Sequence, residues 1–211
     1  MKRSTTSAIA VVVVVALAVV GTVAVVGLAT NGANAIEVGN RTVSRESVND
    51  ELRAIADNAK LVKSQGPGTL TAADGSVKAN VAAGFVMSGA LQEAVIKEYL
   101  DRKGERITSA DRAEGKQLFP QTFFGQFAND FPQWYNDRSR ERLAAYAALT
   151  RVAGIDLQSE SAPDDVARVL RPVARRSDIT VDPRYGRFVL KSVDVRPYQL
   201  PAGLLPSNTN R

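Results

Sequence analysis

The sequence predicts a mainly α fold. It adds a small antiparallel β-element built from the two ends of the body, and an apolar helix precedes the whole. Three observations carry this. Apolar residues recur at helical spacing through most of the chain after residue 44. Short alternating β-branched stretches occur only near residue 38 and near residues 179–195. No charge falls between Arg3 and Glu37, and Ala8–Thr30 is almost wholly Ala, Val, Ile, Leu and Gly.

The apolar run comes first. Lys2 and Arg3 precede it and Ala33-Asn34-Ala35 follows, which is the order of an export signal. It is also long enough to span a bilayer, which takes about 20 residues. Two readings stay open: a signal cleaved after Ala35, or an uncleaved anchor through residues 8–30. Lys2 and Arg3 stay inside in both, so the body faces outward, anchored at the membrane or released to the cell envelope.

Composition narrows the chemistry. The chain holds 27 Lys and Arg against 22 Asp and Glu. Two of the basic residues precede the apolar run, so the body is only mildly basic and carries no nucleic-acid signature. There is no Cys and no His. That excludes disulfides, thiolate or imidazole metal sites, thiol nucleophiles and Ser-His-Asp triads. No S-x-x-K, G-x-S-x-G or H-E-x-x-H motif occurs, and no cofactor is expected.

Ile36-Glu37-Val38 and Arg41-Thr42-Val43 flank Gly39-Asn40, residues that accept the positive φ of a hairpin turn. Ser44 is placed to cap a helix, with Val48, Leu52, Ile55 and Ala56 on its inner face. Ser64–Ser76, with Gly66-Pro67-Gly68 and Asp74-Gly75, reads as a loop. A second helix is expected from about Val86 to Lys103, with Leu91, Val95, Tyr99 and Leu100 inward and Gly104 as its stop. Thr108-Ser109-Ala110-Asp111 has the form of a capping box.

Phe119–Tyr135 holds five of the seven Phe and the only Trp. Phe119, Phe123, Phe127 and Phe131 recur every four residues, which predicts a helical stripe starting near Pro120 and interrupted at Pro132. The stripe faces the core in one reading. In the other it lines a partly exposed groove for peptides, with Phe119, Phe123, Phe124, Phe127, Phe131, Trp134 and Tyr135 as candidate contacts.

Asn136–Val152 is expected to be helical, its charge run Arg138, Arg140, Glu141 and Arg142 a solvated face, with Gly154 as its end. Ser161 to about Arg176 makes another helix, with Val166, Val169, Leu170 and Val173 inward and Pro172 expected to kink or shorten it. Arg168, Arg171 and Arg175 line its other face. Ile179-Thr180-Val181, the turn at Asp182–Gly186 and a return strand through Phe188, Leu190 and Val193 close the body. Residues 196–211 read as a tail.

Three stretches in this order resemble the N-terminal domain of the SurA-like and PrsA-like exported folding factors, within the peptide-binding chaperone superfamily that includes trigger factor. They are Ala35–Ser44 leading into Val48 and Leu52; Leu91–Leu100 with Lys103-Gly104 and Ile107–Asp111; and Ile179–Phe188. The turn departs from the family's commoner Asn-Gly order. The resemblance implies a chaperone module over residues 36–195 whose partners are unfolded or nascent exported polypeptides. The parvulin-type isomerase domain of such proteins, with its His residues and an Asp or Cys, has no counterpart here. The implied protein is therefore a non-enzymatic chaperone. The alternative is a membrane-anchored envelope scaffold or adaptor that binds one folded partner.

Overall fold

The computed structural model describes residues 34–64 and 79–196. The expected apolar helix, nearly all of the Ser64–Ser76 loop and residues 197–211 lie outside them. The described part is mainly helical with a small antiparallel sheet.

Strand β1 (Asn34–Val38) turns back through Gly39, at φ 54°, into β2 (Arg41–Ser44). β1 is the central strand, because β3 (Ile179–Val181) pairs antiparallel on its other side, Ile36 opposite Val181 and Val38 opposite Ile179. The two ends of the body thus close on each other, as expected. The return strand differs from expectation. Instead of one strand beside β3, residues 187–196 form their own hairpin of β4 (Arg187–Val189) and β5 (Asp194–Arg196), so Arg196 ends a strand. The chain reverses at Leu190–Val193, where Val193 adopts φ 49° and its N–H donates to the Leu190 carbonyl.

Helix α1 (Arg45–Asp57) starts where the Ser44 hydroxyl accepts the Ser47 N–H at 3.1 Å. Val48, Ala54 and Ile55 are buried, but Ala56 is exposed and the carboxylate Glu51 takes the inward position beside them. A short α2 (Ala59–Ser64) follows, with Leu61 fully buried.

Helix α3 (Ala79–Arg102) begins seven residues earlier than the spacing suggested. It is the central post: Val86, Met87, Leu91, Val95, Ile96 and Leu100 are all buried, and strands, α1, α5 and α6 pack around it. Gly104, at φ 69°, takes the left-handed turn beyond its end. The capping box then opens α4 (Ser109–Leu118): Thr108 and Asp111 satisfy each other's backbone N–H groups at 2.7 and 3.2 Å. Helices α5 (Gln133–Ala153) and α6 (Ala162–Arg176) complete the body, and α5 ends at Gly154 with φ 68°. Pro172 does not end α6, which runs on to Arg176. Its ring lies on the exposed face, where the carbonyl it leaves unpaired can meet water. One apolar core joins residues of the main sheet, the β4–β5 hairpin and the helices.

Candidate functional site

The residues between α4 and α5 do not form an α-helix. Phe119–Gln121 and Gly125–Asp130 are two 3-10 segments, and the second is itself kinked at Phe127, whose φ and ψ are non-helical. The period-four Phe stripe is therefore not one helix face. Pro120 and Pro132 each lack an N–H, and the remaining backbone closes i→i+3 bonds: Thr122 to Phe119, Phe127 to Phe124, Phe131 to Ala128. The Thr122 hydroxyl staples the first bend. It donates to the Phe119 carbonyl at 2.7 Å and accepts the Gly125 N–H at 3.0 Å. Gly125 is obligatory there, since a Cβ would stand 1.7 Å from the Phe119 carbonyl oxygen.

This fold-back gathers six of the seven candidate residues, with Phe85, into one aromatic layer, leaves Phe119 buried apart from it, and sorts them. Phe119, Phe131 and Tyr135 are core. Phe131 and Tyr135 stack at 4.1 Å, and the Arg140 guanidinium lies over the Phe119 ring at 5.3 Å. Phe124 is half-buried at the centre, edge-on to Phe123, Phe85, Phe131 and Tyr135 with centroids 5.1 to 6.3 Å apart. Phe127 is half-buried beside Phe123 at 6.1 Å. Phe123 and Trp134 emerge, 38% and 44% exposed, the large apolar side chains that stand out among the described residues. The buried Asn136 amide ties the layer to α5, donating to the Ala128 carbonyl at 2.9 Å, and Lys60 reaches Asp130 from α2.

A buried polar network lies behind the layer. The charge run on α5 is not wholly a solvated face: Arg142 and Arg138 both pair with Glu51 of α1, and Arg142 also reaches Glu93 of α3 at 3.4 Å. A carboxylate on the inner face of α1 must be matched, and these two guanidinium groups do it. Burial alone would raise the Glu93 carboxyl, but Arg142 and Lys97 outweigh it and hold the group below its usual value. Burial, with Glu51 nearby, pushes the Tyr135 phenol well up, and burial does the same to Tyr146, which hydrogen-bonds Gln92. Both tyrosines stay neutral.

Sequence reading missed Glu51, Arg142 and Phe85. Glu51 carried a signal, since it lies three residues after Val48 on the apolar stripe of α1. Nothing local named its partner.

Among the described residues no helix is long and apolar enough to cross a membrane, and no group of His, Cys, Asp or Glu is placed to hold a metal ion. Compared with family models, curated proteins and solved structures, the chain matches none.

Proposed function

We propose that this protein is an extracytoplasmic, non-enzymatic chaperone that holds extended apolar segments of exported polypeptides. The observation that carries the reading is the aromatic edge: Phe123 and Trp134 are partly open to solvent, with Phe124 packed behind Phe123 and Tyr135 behind Trp134. Two large rings held open to water cost free energy unless something covers them. Their burial against a client returns about 25 cal/mol per Å2 before ordering costs. Holding of this kind needs reversible contact and no bond chemistry, which suits a chain without His or Cys. The charge-free run behind Lys2 and Arg3 supports the outward address, and the SurA-like order of motifs supports the choice of client.

The test is aggregation suppression by the full chain toward several unrelated unfolded proteins, with prolyl isomerisation followed in parallel. The reading expects suppression across clients, its loss in Phe123→Ser/Trp134→Ser, and no isomerase rate. Capture of a single folded protein without suppression would replace it with the adaptor reading.

A further inference from the structure

A concave surface lies at the far end of α3 from Phe85. It is a cleft of about 350 Å3 walled by β2, the C-terminal turns of α3, the 105–107 link, α4 and α5. Its charges are nearly all committed. Arg41 pairs with Asp101, and Arg112 forks onto Glu141 at 3.0 and 3.1 Å while also donating to the Ile107 carbonyl. Lys97 is held by Glu93, and Glu105 by Arg151, each from beyond the lining. Every carboxylate in the cleft thus already has its cation.

Arg106 is the exception. It lines the cleft, is exposed, and its guanidinium has no ion-pair or hydrogen-bond partner among the described residues. Arg41 also keeps a buried Nε–H without an acceptor, although its Nη2 is engaged. The surplus is one positive charge, which matches a monoanion better than a doubly charged phosphate. Half-buried Ile107 supplies an apolar surface beside it, with the buried Leu100 beneath. The surrounding ion pairs join four elements, so the walls are set before a ligand arrives and little ordering cost remains.

We propose that this cleft binds a carboxylate carried on an apolar group, with Arg106 as the cation that receives it. A planar guanidinium takes a carboxylate through two parallel N–H bonds, and the apolar substituent lies on Ile107. Two sources share that chemistry: the C-terminal residue of a polypeptide, and a small free branched-chain acid. The site does not depend on the aromatic edge.

Calorimetric titration of the full chain with N-acetyl-Ala-Leu, its C-terminal amide, isovalerate and inorganic phosphate tests this. The free-acid peptide should bind and the amide should not, with affinity falling as salt rises. Binding of isovalerate as well assigns the site to the free acid group in general; binding of the peptide alone assigns it to a polypeptide terminus. Arg106→Glu should weaken binding at least about tenfold and Arg106→Lys less, while Phe123→Ser/Trp134→Ser leaves it unchanged. Equal binding of the peptide acid and its amide, equal or tighter binding of phosphate, failure of both the peptide acid and isovalerate to bind, or an unaffected Arg106→Glu variant would each overturn the proposal. The acid–amide comparison uses the unaltered protein, so it stands even if a variant misfolds.

Discussion

The Glu51 carboxylate, 2% exposed, accepts both Nη groups of Arg142 at 3.2 Å across 91 residues of sequence. It is the point where α1 and α5 are locked together, with Glu93 adding α3. Two buried charges do not by themselves stabilise a fold, since desolvation can consume the Coulombic gain. The consequence is an asymmetry, because removing one partner leaves the other's buried charge only partly matched, Glu51 by Arg138 alone or Arg142 by Glu93 alone. Glu51→Ala or Arg142→Ala should cost about 3–5 kcal/mol in urea unfolding, whereas Glu51→Leu/Arg142→Met should be less damaging than the worse single change. A double variant whose loss equals the sum of the singles would show that the two residues act independently.

Acid should weaken the fold through a defined set of carboxyls. Burial raises the Asp111 carboxyl, but the Arg151 guanidinium and the Thr108 N–H and hydroxyl outweigh it and hold it low. For Asp182, burial is outweighed by the Arg184 N–H and the Arg45 side chain, with the Arg184 charge adding to them. Glu93 is lowered in the same sense. A carboxyl whose folded value lies below its unfolded one adds stability above the unfolded pKa, about 4, and loses it as pH falls through the folded value. Urea midpoints should therefore be flat near neutrality and fall below about pH 4. Asp111→Asn should flatten part of that fall, and it should cost about 1–3 kcal/mol at pH 7 through the lost charge-assisted bonds from Arg151. A wild-type midpoint that rises toward pH 3 would contradict the assignment.

These relationships also explain which parts of the structure were legible in the sequence. Caps and turns were, because their partners are three residues apart: Ser44 with Ser47, Thr108 with Asp111, and the left-handed glycines 39, 104 and 154. The pairing of β1 with β3 was legible because two lone strands at opposite ends had few other partners. The Phe119–Phe131 stripe was misleading. A period of four points to a helix, yet Pro120, Gly125 and Pro132 favour bends, and the bends won. The split of the seven aromatics into core and edge depends on that fold-back, so no spacing rule could give it. Glu51 and Arg142 form a pair that only tertiary packing specifies.

Close backbone contact makes two glycines sensitive. A Cβ on Gly115 would lie 2.7 Å from the Ala144 backbone nitrogen and 2.8 Å from the Arg140 carbonyl oxygen, at the crossing of α4 and α5. Gly115→Ala must push the helices apart, and overpacking of this kind costs about 1–3 kcal/mol. Gly125→Ala meets the Phe119 carbonyl and must open the first bend of the aromatic layer. Near-ultraviolet circular dichroism should change more for Gly125→Ala than for Gly115→Ala, because Trp134 reports on the layer that Gly125 supports. Identical aromatic spectra for the two variants would mean that the bend does not position the layer.

The aromatic layer itself separates stability from binding. Phe131 stacks on Tyr135 in the core, so Phe131→Ala should cost about 3–5 kcal/mol and lower binding only by unfolding the protein. Phe123 and Trp134 are the exposed members. Their replacement by Ser removes less buried apolar surface than loss of Phe131 does, so the melting temperature should shift less than in Phe131→Ala while client holding is lost. Thermal unfolding and aggregation suppression measured on the same samples distinguish the two classes. The division fails if Phe123→Ser and Trp134→Ser destabilise as much as Phe131→Ala. It fails equally if they leave suppression intact, since the exposed rings would then be surface residues without a binding role.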